Sequence, residues 1–268
     1  MMTWVLPTHP MIRPCLTTHG KPKYTLLICP FAGGSSSAFR QWSTLENSDI
    51  AASLVIYPGH DSRMNERATT RIEPLAQSLA DLIVSFTPAQ RENLILVGHS
   101  MGAQVAFETC QRLEQHNCSL KALVLSGCHA PHLQPRRQLS GLPDHEFIEQ
   151  LIDIGGCSPM LREDPGLLAL FLPMLRADFF ATEHYHHVIQ PDSVKLQTPT
   201  LLLYGNEDKE ASAMEVQQWH HWLAGNTQNL SYCCQEVTGD HFYITQDPQS
   251  FIRHVTQFIQ YVYLQEFA

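Results

Sequence analysis

The sequence predicts an α/β protein with a mostly parallel central sheet and helices on both faces. Three features carry this. Short continuous apolar runs recur along the chain; stretches with apolar residues at helical spacing separate them; and the runs end in Pro or Gly turns. Strands that are apolar along their whole length have both faces buried, which is the condition of a parallel sheet flanked by helices.

Taken in order, Tyr24–Cys29 (YTLLIC) is the first such strand and runs into Pro30-Phe31-Ala32-Gly33-Gly34. Ala52–Tyr57 (ASLVIY) is the second and stops at Pro58-Gly59. Leu75, Leu79, Leu82, Ile83 and Phe86 mark a helix over Ile72–Phe86. Leu94–Val97 is a strand, Ala103–Leu113 a helix, and Ala122–Ser126 and Thr200–Tyr204 are further strands. Leu230–Val237 reads as the last strand and Phe251–Val262 as a closing helix. Adjacent Cys233 and Cys234 then point to opposite faces of that strand. From about 130 to 190 the rhythm breaks into helical segments, among them Asp144–Ile154 and Pro165–Arg176. This insertion, placed between two sheet strands, predicts a lid over their carboxyl ends, within a single domain spanning 1–268.

Composition narrows the function. Charged residues make up only 16% and apolar residues 44%, enough for a sizeable core and against disorder. A net charge of −9 argues against nucleic-acid binding. The N-terminus, broken by Pro7 and Pro10, does not read as a signal peptide, and no stretch approaches the roughly 20 apolar residues of a membrane span. The eight cysteines show no CxxC pair and no zinc-finger rhythm, which suits reduced, buried thiols in a cytoplasmic protein. No long apolar stripe is left over, so the expectation is a monomer.

The chemistry is concentrated after the strands, where α/β sheets bind their ligands. Gly98-His99-Ser100-Met101-Gly102 is a G-x-S-x-G pentapeptide standing directly between a strand and a helix, the context this motif requires in α/β-hydrolases. The turn sets Ser100 at the head of a helix, where the Met101 amide can meet an oxyanion. A serine alcohol needs a base, and the chain offers 15 histidines. Chain order in this fold is Ser, acid, His, which selects His241 in Gly239-Asp240-His241-Phe242, after the last strand. His254, His220 and His221 fall in helical stretches; His184, His186 and His187 lack a carboxylate at metal-ligand spacing; His99 reads as part of the turn. The acid follows the strand ending at Tyr204. Asp208 is the choice, with Glu207 and Glu210 as positional rivals, while Asp240 is adjacent to His241 and badly placed. The loop after the first long strand supplies the second oxyanion donor, assigned to the Ala32 amide beside that of Met101.

These pieces together resemble a known family. Pro30-Phe31-Ala32-Gly33-Gly34, Pro58-Gly59, Gly98-His99-Ser100-Met101-Gly102, Arg176-Ala177-Asp178-Phe179 and Gly239-Asp240-His241-Phe242 are similar to the type II thioesterases of nonribosomal peptide and polyketide synthesis. The Pro30–Phe39 stretch and Gly127–Pro131 look closest to the stand-alone siderophore enzymes of yersiniabactin type. The resemblance implies an editing thioesterase that removes wrong or stalled acyl groups from carrier-protein domains. It implies no metal and no cofactor of its own, since the 4′-phosphopantetheine arm belongs to the partner. One departure stands out: the family often has arginine after Pro-Gly in the second loop, and here it is His60, with no role assigned. Because carrier domains are often acidic too, a local basic or apolar docking patch is expected, with Arg136, Arg137 and Arg162 as candidates. The rivals are a small-molecule carboxylesterase or lipase, and a hydrolase-fold binding protein without activity.

Overall fold

The computed structural model describes residues 3–4, 6–46, 49–190, 193–225 and 232–264. Seven strands form the central sheet: β1 (Ile12–Leu16), β2 (Tyr24–Cys29), β3 (Ile50–Val55), β4 (Leu94–His99), β5 (Ala122–Ser126), β6 (Thr200–Gly205) and β7 (Tyr232–Val237). Their spatial order is β1-β3-β2-β4-β5-β6-β7, and every pairing is parallel except β1 with β3. The helices of three or more turns are α1 (Ile72–Ser85), α2 (Met101–Gln115), α3 (Asp144–Ile154), α4 (Pro165–Glu183) and α5 (Pro248–Leu264).

The side-chain alternation of each strand sorts the core into two layers. Leu54, Ile28, Val97, Val124, Leu201 and Cys233 lie in one register row across six strands. That row packs with Trp42 and, from α5, Phe251, Val255 and Phe258. The neighbouring residues Leu27, Leu96 and Leu123 face the other way, against Leu75 and Leu79 of α1 and Val105 and Phe107 of α2. Cys233 and Cys234 are divided between the two layers, as their alternation predicts. Register is held because a slip of one residue would exchange the layers.

The main differences from the sequence reading have local causes. The antiparallel edge strand β1 was not expected; its sequence IRPCL carries Pro14 and a register shift between Pro14 and Leu16, features tolerated only at a sheet edge. β3 begins two residues earlier than Ala52, because Ile50 and Ala51 already pair with Tyr24 and Thr25 of β2, and it stops two residues short of Tyr57, past the last pairing with β2 at Leu54. For the last strand, residues 230 and 231 lie outside the described residues, and the rest is as expected. α4 continues past Arg176 to Glu183; Asp164 caps its start and Pro165 takes the first turn, where its missing N–H costs nothing. At 19 residues α4 is long and apolar enough, by composition alone, to cross a membrane. Its charged groups are nevertheless committed within the molecule: Arg176 to Asp144, and Glu183 to the amides of Leu139 and Ser140.

The helices between β5 and β6 have a small core of their own, including Phe147, Ile148, Leu151, Met174 and Leu175. Arg176 lies over the Phe147 ring at 4.1 Å and so fastens α4 to α3. α4 is fastened to the sheet-covering helix α2 as well, where Thr182 Oγ1 donates to Gln104 Oε1 at 2.8 Å.

Candidate active site

Parallel strands in register bring their carboxyl ends to one edge. Cys29 pairs with Gly98, and His99 with Ser126, so the loops after β2 and β4 emerge side by side. Ser100 follows β4 at once, with φ 54° and ψ −124°. A positive φ is costly for a non-glycine residue and persists only where the surroundings enforce it. Here Ser100 N–H bonds the Ser126 carbonyl at 2.9 Å and α2 begins at the next residue. The flanking glycines are required by crowding. A Cβ on Gly98 would strike the Gly102 carbonyl and stand 2.5 Å from Ala103 Cα, and one on Gly102 would run into the Cys29 carbonyl. The Ser100 side chain does not cap α2, so its hydroxyl is not spent on the helix.

His241 Nδ1 lies 2.9 Å from Asp208 Oδ2. The other oxygen, Oδ1, accepts from the amides of Glu210 and Ala211 at 2.8 and 3.0 Å. Burial by itself would raise the carboxyl of Asp208, but the bond from His241 and the two amides outweigh it and hold the group below its ordinary value. Nδ1 therefore carries hydrogen, and Nε2 is left for the cavity. Ser100 and His241 line the same two small cavities, of about 80 and 90 Å³. Among the described residues no hydrogen bond joins the Ser100 hydroxyl to the imidazole; such bonds often tighten only when a substrate is in place. Ala32 lines one of the cavities with them. Met101 heads α2, whose first amides have no partner inside the helix.

Asp240 and Glu210 have partners other than His241. Asp240 accepts from the Phe242 amide and from Gln246. Glu210 pairs with Arg137 at 3.0 Å and lines both cavities, a placement that the sequence did not reveal. His187 faces Glu108, and His184 stacks on Phe180. Each of the three arginines named for a docking patch is met by a carboxylate: Arg136 by Glu215, Arg137 by Asp153 and Glu210, Arg162 by Glu149.

His99 does more than complete the turn. Its Nε2 lies 2.7 Å from the His241 carbonyl, which can only accept, so Nε2–H is the donor. Nδ1 then accepts from Ser126 Oγ at 2.9 Å, and Ser126 accepts from the Tyr243 hydroxyl. This buried chain holds the backbone of His241 in place. Burial, followed by the nearness of His241, drives the His99 imidazole down to about 3, so it is neutral at any ordinary pH.

A serine on a strained turn after a parallel strand, facing an imidazole delivered from the far end of the same sheet, defines the molecule as an α/β-hydrolase. Within that class the chain belongs to the thioesterase domain family, whose model matches residues 24–259. It is 43% identical over 225 residues to the probable anguibactin biosynthesis thioesterase AngT of Vibrio anguillarum, covering 83% of this chain and 86% of that one. Thioesterase PikA5 of Streptomyces venezuelae is 36% identical over 221 residues, covering 81% and 75%. Among solved structures, YbtT, a type II thioesterase from the yersiniabactin NRPS/PKS biosynthetic pathway, superposes with a TM-score of 0.87 at 46% identity, covering 94% of this chain and 99% of that chain.

Proposed function

We propose that this chain is a stand-alone type II thioesterase that hydrolyses aberrant or stalled acyl groups from the 4′-phosphopantetheine arm of carrier domains in nonribosomal peptide or polyketide synthesis, in a siderophore pathway. The observation that carries the chemistry is the opening of Ser100 and His241 onto shared cavities while Asp208 grips the far side of the imidazole. The substrate class rests on the similarity to AngT and YbtT over most of the chain.

In this reading His241 Nε2 takes the Ser100 proton as the oxygen attacks the thioester carbonyl. The amides of Ala32 and Met101 receive the negative charge of the tetrahedral intermediate. Its collapse breaks the C–S bond, the thiolate leaves with the proton from His241, and an acyl-Ser100 ester remains. Water, deprotonated by His241, attacks the ester; collapse returns the proton to Ser100 and releases the acid. Asp208 holds the Nδ1–H tautomer and stabilises the imidazolium formed in each half. The residues between about 130 and 190 serve as a lid within a single domain. The enzyme works as a monomer in the cytoplasm and needs no cofactor of its own.

The test compares an acylated carrier domain with a matched oxygen ester of the same acyl group. A higher kcat/KM on the carrier thioester is expected. Faster turnover of the oxygen ester would favour a carboxylesterase, and a Ser100 that fluorophosphonate leaves unlabelled in folded protein would favour a binding module.

A further inference from the structure

We infer that Asp178 and His60 form a positioning pair through which α4 sets the oxyanion loop, Pro30–Gly34. The inference rests on the reading of the site above and adds to it the means by which the donor amide is aimed.

Asp178 stands in the C-terminal half of α4 and His60 in the loop after β3, 118 residues apart, and their side chains are 3% and 2% exposed. Asp178 Oδ2 accepts two bonds, from His60 Nε2 at 2.9 Å and from the backbone amide of Gly33 at 2.7 Å. His60 Nδ1 lies 3.2 Å from the Pro58 carbonyl. Both ring nitrogens thus face oxygens that can only accept, so both carry hydrogen and the ring is an imidazolium against a carboxylate. A buried carboxylate without a cation would be strongly unfavourable; with one, it can sit beneath the loop as a fixed acceptor.

What it accepts from matters. Gly33 follows Ala32, and its amide fixes the peptide plane after Ala32. The plane before Ala32 is fixed from its carbonyl side, because the Phe31 carbonyl accepts from Gly34 N–H at 2.8 Å. In a trans peptide the N–H points opposite to the carbonyl. With Phe31 C=O turned into the loop, the Ala32 N–H is turned out of it, and Ala32 lines the cavity shared by Ser100 and His241. α4 lies directly on this loop: Gly33 has φ +73°, and a Cβ there would stand 2.6 Å from Leu175 Cδ2, one turn before Asp178. The Tyr57 hydroxyl holds the Pro30 carbonyl at 3.3 Å from the other side. Seating of α4 and aiming of the donor amide are therefore one event, and a displaced α4 leaves an enzyme that binds acyl groups without activating them.

The test uses full-length protein and a short-chain N-acetylcysteamine thioester. Asp178→Ala removes the acceptor, and a fall in kcat of about 10- to 100-fold with KM within threefold is expected, somewhat less than removal of a whole oxyanion donor. Asp178→Asn keeps an oxygen for the Gly33 amide and lets His60 turn neutral, so it should restore most of the lost kcat. The double variant His60→Leu/Asp178→Leu buries no charge, which keeps the test open should Asp178→Ala not fold; it should fold and share the kcat loss. A folded variant lacking the acceptor that retains wild-type kcat would overturn the inference, as would Asn and Ala variants with equally low kcat. A wild-type enzyme without thioesterase activity would instead sink the reading of the site itself.

Discussion

Acid should destabilise this protein through His99 in particular, and the size of the effect can be worked out. The perturbation is a drop from pH 7 to pH 5, in the wild type and in His99→Gln. In the folded protein the imidazole is held at about 3, against an ordinary value near 6.5, by burial and by His241. A histidine depressed in the folded state stays neutral while the unfolded chain takes up a proton. Stability is therefore full above about pH 6.5, declines as pH falls through that value, and goes on declining until the folded value near 3 is reached. Each pH unit in that window is worth about 1.4 kcal/mol, so roughly 2 kcal/mol is lost by pH 5. The other histidines titrate too, so the informative quantity is the difference between proteins. Urea unfolding at the two pH values should show the wild type losing about 2 kcal/mol more than His99→Gln, with unchanged m-values. Equal losses would refute both the neutrality of His99 and the hydrogen-bond chain that fixes its tautomer.

Three other outcomes follow from the site. Asp208→Asn should leave the fold intact yet lower kcat by about 10³- to 10⁴-fold, because the amide supports the wrong tautomer of His241, while Ser100→Ala removes turnover and fluorophosphonate labelling together; steady-state kinetics on a thioester check both. Gly102→Ala should destabilise the protein by about 3 kcal/mol or prevent folding, since its methyl meets the rigid Cys29 carbonyl, and thermal unfolding against wild type measures this.

How much of this was readable in advance depended on range. The parallel strands could be found because each buries both faces and so writes a continuous apolar run, as in Leu94–Val97 and Ala122–Ser126. β1 could not, since Pro14 interrupts it and only its place at the edge makes that acceptable. Ser100 was legible from its neighbours, because the crowding at Gly98 and Gly102 is local. His241 and Asp208 were legible only through the chain order of the fold, which places each after a strand end. The Asp178–His60 pair left no such trace. His60 stood out only as a departure from the family's arginine, and the geometry that joins it to Asp178 of α4 exists only once β3 and the inserted helices are packed. The ion pairs of Arg136, Arg137 and Arg162 were hidden for a similar reason: three arginines say nothing about the four carboxylates that fold against them.

The edge strand has a consequence beyond its place in the topology. An open sheet margin invites another chain to add itself, and growth by that route ends in insoluble assemblies. Here the margin is closed off by chemistry: Pro14 has no N–H to offer an incoming backbone, and the slipped register beside it breaks the even ladder such an addition would need. The seven-stranded platform is thereby terminated on that flank, and molecules crowded against one another have no seam there along which to polymerise.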